Sequence, residues 1–166
     1  RSLTLAASTP CFVQQADWSY AISANVFKQF AQDLQLDYQR TMKRFLALQT
    51  LGSNQGKQQL QFLQQQLQTY PIPNANSLQQ GLEELLQADR RQQLQSYSGP
   101  CQVWLGERDQ LVPLSISEYF SQQLGKQNVH VFDHAGHAPF LTDTQRCVNL
   151  MLEQIQQCEL ESQHAG

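Results

Sequence analysis

The sequence predicts an α/β fold: a short parallel sheet, with strands joined by helices, interrupted by a long helical insert. Three observations carry this reading. Short apolar runs bounded by turn residues recur three times, the pattern of strands covered on both faces. A helical stretch separates the second run from the third and another follows it, which is the alternation of a parallel sheet. Between the first and second runs lie some 70 residues with helical periodicity and no strand, too long for an ordinary crossover.

Composition agrees with one ordinary domain. The chain has 166 residues, 40% hydrophobic and 15% charged, with a net charge of −3. A chain of this size buries roughly two thirds of the surface its unfolded form exposes. No apolar run approaches the ~20 residues of a membrane span, and the acidic balance argues against nucleic acid as partner. Cys11, Cys101, Cys147 and Cys158 form no C-x-x-C pair and read as free thiols of a reducing cytoplasm. The apolar stretch near the start is short and lacks a basic leader of the right shape, so no signal peptide is expected. The chain opens on Arg1 rather than Met, directly before that strand, which creates the expectation of residues upstream. The 31 glutamines are interleaved with leucine throughout, so they read as neutral helix-surface residues and not as a polar tract.

The first strand is Leu3 to Ala7, ended by Ser8-Thr9-Pro10. Four helices follow, near Asn25–Leu34, Asp37–Leu51, Asn54–Tyr70 and Ser77–Gln87. Gly52 and Pro71 stop two of them, and Asp37 and Ser77 are the expected N-caps. The second strand, Gln102 to Leu105, follows Gly99-Pro100. Pro113 to Leu124 reads as one helix, Asn128 to Phe132 as the third strand, and Thr142 to Cys158 as the last helix, its apolar set being Val148, Leu150, Met151, Leu152 and Ile155. Residues 1–16 and 90–166 are thus expected to form the core, and 17–89 a lid over it.

The second insert helix has two faces. Tyr38, Met42, Phe45 and Gln49 fall on one side with Leu46 nearby, while Arg40, Lys43 and Arg44 fall on the other. From Tyr38 to Leu82 there are four basic residues and no acidic one. Such a face is either simply solvated or a docking surface for an acidic partner.

Chemistry is expected beyond the carboxyl ends of the strands. After the second strand comes Gly106-Glu107-Arg108-Asp109-Gln110-Leu111-Val112-Pro113, and after the third Asp133-His134-Ala135-Gly136-His137-Ala138-Pro139-Phe140. A carboxylate and an imidazole at neighbouring strand ends can form an acid–base pair, the carboxylate fixing the ring's tautomer. Glu107, Asp109 and Asp133 compete for the first role, His134 and His137 for the second. Gly136 and Pro139 bracket His137 and favour it. The order, Asp before His, matches a hydrolase triad whose serine lies earlier. No His/Cys/Asp/Glu cluster has ligand spacing, so neither a metal nor a cofactor is expected.

Gly106-x-x-Asp109-x-Leu111-Val112-Pro113 followed by Gly136-His137-Ala138-Pro139-Phe140 resembles the last two triad motifs of the α/β-hydrolase superfamily. Within it, Ser8-Thr9-Pro10-Cys11-Phe12, Tyr38-Gln39-Arg40-Thr41 and the run Arg44 to Thr50 resemble the pimeloyl-acyl-carrier-protein methyl ester esterases of biotin synthesis. The resemblance implies the C-terminal part of an α/β-hydrolase, parallel strands six to eight with an inserted four-helix lid. It implies a cytoplasmic serine carboxylesterase, with Asp109 the triad acid and His137 the base. Phe45, Leu46, Ala47, Leu48 and Gln49, with Phe30, would bind the acyl chain. Arg40, Arg44 and Lys57 would meet the acyl carrier protein.

The family's G-x-S-x-G nucleophile elbow does not occur in this sequence. The serine is therefore expected upstream and this chain alone is expected to be inactive. Ser8 follows the first strand, but a serine–proline loop lacks the tight elbow geometry. Two other readings compete: a different α/β-hydrolase, acting on small esters or on carbon–carbon bonds, or a non-catalytic acyl-carrier-binding fragment.

Overall fold

A computed structural model describes residues 2–164, with side chains through residue 160; Arg1, Ala165 and Gly166 of the expected core lie outside it. Three strands, β1 (Leu3–Ala6), β2 (Cys101–Gly106) and β3 (Val129–Phe132), form one sheet in the order β1-β2-β3. All pairings are parallel, Leu3 opposite Cys101 and Val103 opposite Val129. Alternation along the strands divides the sheet into two unlike faces. Leu3, Leu5, Val103, Leu105 and Val129 pack on Ile116 and Phe120 of α6 (Ile116–Leu124), together with Cys11 and Trp18.

The opposite face is partly polar and meets α8 (Thr144–His164). There the Trp104 indole donates to Gln102 Oε1 at 3.0 Å, and Gln102 Nε2 donates to Gln154 Oε1 at 2.9 Å and to Thr4 Oγ1 at 3.2 Å. Thr4 Oγ1 also donates to Gln154 Oε1 at 3.0 Å, so one network spans two strands and the helix. Gln102 is buried in the middle strand, and these partners satisfy it.

Between β1 and β2 stand α1 (Ala24–Leu36), α2 (Tyr38–Thr50), α3 (Gly56–Gln68) and α4 (Ala75–Gln87), each 13 residues long, then a short α5 (Arg91–Gln95). Helices α1, α2 and α4 share a core centred on Phe27, Leu34 and Leu82 together with Val13, while Leu94 of α5 joins the sheet-side core. The insert's two ends are fastened together. The Arg91 guanidinium donates to Asp17 at 2.9 Å and to Asp89 at 2.6 Å, and lies over the Trp18 ring. Its hydrogen bonds hold both carboxyls below the usual carboxylate range.

Five expectations are corrected. Asp37 does cap α2, but α4 is capped by Asn74, whose side chain accepts from the Ser77 amide; Ser77 sits inside the first turn. The third strand begins at Val129, because Lys126–Asn128 forms a 3₁₀ turn behind Gly125. The helix expected from Pro113 starts only at Ile116, since the chain first turns through Pro113, whose carbonyl accepts from the Ile116 amide at 3.0 Å. The last helix, expected from Thr142, is α8 and starts at Thr144: a separate turn, α7 (Pro139–Thr142), ends just before it, and the Asp143 carboxylate caps α8 at the Arg146 amide. The apolar set expected on α8 stays largely outside. Val148, Met151, Leu152 and Ile155 are exposed, while Cys147, Leu150 and Gln154 face the sheet. Three strands span only about 10 Å between the outer two, too narrow to cover more of the helix.

Gln102→Leu is expected to leave the buried Trp104 N–H without its acceptor and to cost about 1–3 kcal/mol. Urea denaturation monitored by tryptophan fluorescence measures it; an unchanged midpoint would remove the network from the stability account.

Candidate active site

The loops that follow β2 and β3 are joined by main-chain hydrogen bonds. The Glu107 amide donates to Phe132 O at 3.0 Å and the Arg108 amide to Ala135 O at 2.9 Å. Asp109 sits in the first loop, its side chain only 1% exposed. Its Oδ1 accepts the amides of Leu111 at 2.8 Å and Val112 at 3.1 Å, which fixes the carboxylate's orientation. Oδ2 lies 2.9 Å from Nδ1 of His137. A carboxylate accepts, so Nδ1 carries the proton and Nε2 is left for a reacting group. The imidazole remains 23% exposed, reachable from outside while its partner is sealed.

The competing groups are arranged differently. Glu107 Oε2 accepts the main-chain amide of His134 at 2.7 Å, which holds that carboxyl below its ordinary range. His134 Nδ1 is 3.4 Å from the same oxygen and 2.6 Å from Nη2 of Arg108. Glu107, Asp133 and His134 are all exposed. Of the candidate pairs, Asp109 with His137 combines a buried acceptor with an accessible ring.

The insert reaches this site through its main chain. The His137 amide donates to Gln49 O, near the end of α2, at 2.9 Å. Gly136 makes that approach possible, because a Cβ there would stand 2.5 Å from Gln49 O and 3.3 Å from Leu51 O. On the other side Gly136 and Ala135 press their carbonyls against Gly106 at the end of β2. A third tie is Gln59 of α3, buried, donating to Thr142 Oγ1 of α7 at 3.1 Å.

The residues expected to bind an acyl chain are divided around α2. Phe45 is half-buried and its ring lies 5.2 Å from that of Phe30, while Leu46 is buried. Ala47 and Leu48 are exposed. Five consecutive residues exceed one helical turn and cannot share a face. Gln49 meets the site through its carbonyl.

The basic residues divide too. Arg44 lies 3.6 Å from Asp33 of α1. Arg40, Lys43 and Lys57 are exposed and, among the described residues, have no acidic partner within 4 Å. Sequence reading missed the ties at Gln59 and Arg108. A glutamine on the apolar side of α3 and an arginine beside the candidate acid were the available signals.

Comparison with known proteins follows the same lines. The family model for the alpha/beta hydrolase fold matches residues 1–144. A pimeloyl-[acyl-carrier protein] methyl ester esterase of Xylella fastidiosa (strain 9a5c) is 40% identical over 146 residues, covering 86% of this chain and 56% of that protein. One of the same name from Nitrosomonas europaea is 34% identical over 149 residues, 90% of this chain and 59% of its own length. The chain spans a little over half the length of these curated relatives. Among solved structures, an esterase from Exiguobacterium antarcticum superposes with a TM-score of 0.77 at 18% identity, over 93% of this chain and 57% of that one. A bromoperoxidase from Bacillus anthracis superposes at 0.66 with 12% identity, over 93% and 58%. At these identities they show the fold.

Gly136→Ala is expected to push the end of α2 off the His137 loop, since both atoms it meets are main chain. Overpacking of this kind costs about 1–3 kcal/mol, and the His137 amide should exchange about tenfold faster or more. Hydrogen exchange at that amide decides it; unchanged protection would mean the contact is dispensable.

Proposed function

The chain belongs to the α/β hydrolase fold family, and on that premise we propose that it is the acid–base and lid portion of a serine carboxylesterase. The substrate is the methyl ester of a pimeloyl chain carried on acyl carrier protein, in cytoplasmic biotin synthesis. The observation that carries the reading is the pair of Asp109 and His137 at 2.9 Å, on the loops after adjacent strands. The relatives' name supports the substrate.

The geometry supports the following roles. With Nδ1–H held by the Asp109 carboxylate, His137 Nε2 takes the proton of a serine hydroxyl as its oxygen attacks the ester carbonyl. The resulting imidazolium is stabilised by Asp109 and returns its proton to the departing methoxide, releasing methanol. Water then attacks the acyl-serine, giving its proton to Nε2, which passes it to the departing serine oxygen as the acid is released. The attacking serine is supplied from upstream of this chain. Residues 17–89 form the lid. Of the expected acyl-binding residues, Phe30 and Phe45, half-buried with their rings together, contribute the acyl-chain surface, and Arg40, Arg44 and Lys57 meet the acidic carrier protein, raising the encounter rate.

Fluorophosphonate labelling of the natural gene product containing this chain, read by intact mass, tests the mechanism first. A labelled species well above 19.0 kDa is the expected result; absence of label would favour a carrier-binding module instead. His137→Ala should lower kcat at least about 10³-fold on every ester, and near-normal turnover would end the assignment. Arg40→Glu with Lys57→Glu leaves the Arg44–Asp33 pair alone. This double change should reduce kcat/KM for the carrier-linked ester about tenfold or more at low salt, with a small soluble ester within about twofold. Equal losses on both substrates would remove the docking face.

A further inference from the structure

We infer that Arg108 is a positioning residue that latches the helical insert to the loop carrying His137. The inference rests on reading Asp109 and His137 as the acid–base pair. Arg108 precedes Asp109, and its own amide is held by Ala135 O at 2.9 Å, so its base is fixed to the ends of β2 and β3. From there the side chain spans to the insert. Nη1 donates to Gly52 O, in the turn after α2, at 2.8 Å, and Nη2 donates to His134 Nδ1 at 2.6 Å. A guanidinium has no acceptor, so Nδ1 must accept, which sets the neutral His134 ring with its proton on Nε2. The planar fork thus grips both loops at once in a fixed geometry.

Both gripped residues hold unusual backbones. Gly52 has φ +83°, and a Cβ there would lie 2.8 Å from Arg108 Cβ and 3.0 Å from its Cδ. His134 has φ +57°, uncommon outside glycine, with its amide taken by Glu107. Left-handed residues persist where their surroundings over-determine them; here the turn leaving α2 and the turn before His137 are both shaped around one arginine. The Glu107 carboxylate, 3.6 Å from Arg108 Nε, is the nearby countercharge.

The consequence lies three residues back along the insert. Where Gly52 is held, the end of α2 is held, and Gln49 O is there to accept the His137 amide. Arg108 touches no reacting atom. It sets how closely the insert stands over His137, and so acts on substrates whose acyl chain must fit beneath it.

The test uses the natural gene product containing this chain, with p-nitrophenyl acetate as a small ester and p-nitrophenyl octanoate as one long enough to reach the insert. Arg108→Ala should raise KM for the octanoate about fivefold or more, the scale of losing a half-exposed charged hydrogen bond. Turnover of the acetate should stay within about twofold. Arg108→Lys reaches one partner at a time and should not rescue KM. Gly52→Ala displaces the same side chain from the insert side and should match Arg108→Ala, with the double variant no worse than either single one. Parallel loss on both esters, no change on either, rescue by lysine, or additive singles would each overturn the latch. Amide exchange over residues 46–56 reads the latch without activity. Faster exchange in Arg108→Ala supports it and unchanged exchange overturns it, even if the unaltered protein cleaves neither ester and the esterase reading itself has failed.

Discussion

The contact on which the rest of the site depends is main chain against main chain at Gly136. One side of that residue meets Gly106 at the end of β2, the other meets the carbonyl of Gln49 at the end of α2. Backbones approach this closely only where no Cβ intervenes. The loop is therefore held between sheet and insert, and His137 follows it by one residue. Asp109 reaches the imidazole because both loops have already been bound together by the Glu107 and Arg108 amides. The hydrogen bond between them completes an arrangement that main-chain contacts have fixed in advance.

Two acid–imidazole groupings stand side by side in these loops, and burial separates what they do. Asp109 is sealed, with every close partner a donor, and its ring partner keeps one nitrogen free. Glu107 is solvated and spends its acceptor on the His134 main chain, while the His134 ring is taken by Arg108. The first grouping pairs a sealed carboxylate with a ring nitrogen left open to the outside. The second braces loops. Had Arg108 been absent, His134 and Glu107 would form an ordinary exposed pair of little energetic consequence.

The sheet and the insert solve their packing in opposite ways. The face toward α6 is apolar and crowded with aromatic rings, among them Trp18, Tyr119 and Phe120. The face toward α8 carries a hydrogen-bonded network of Thr4, Gln102, Trp104 and Gln154, which fixes the helix's register through directional contacts. The insert joins the sheet core through Trp18 and Ala21 at its root, its helices α1, α2 and α4 share a second core, and beside His137 it meets the loops through a few polar ties, at Gln49, Gly52 and Gln59. A body joined in this manner can be adjusted by single residues at its ties without disturbing either core.

Much of this was legible in the residues themselves. Apolar runs beside glycine and proline marked the three strands, and the 3.6-residue period marked four insert helices, because burial on one or both faces leaves its signature in local sequence. From several candidate acids and rings, the resemblance to the hydrolase motifs pointed to Asp109 and His137. What local sequence did not carry was anything settled by partners distant along the chain. Which side of α8 would be covered depended on a sheet two of whose three strands lie far back along the chain. Which of Glu107 and Asp109 would be buried depended on how two loops closed on each other. The division of Arg44 from Arg40 and Lys57 depended on Asp33 in a neighbouring helix. Periodicity determines what an element is; tertiary structure alone decided which side of α8 was covered and what stood there to meet each element, because charge pairing, burial and close backbone approach are properties of position in space.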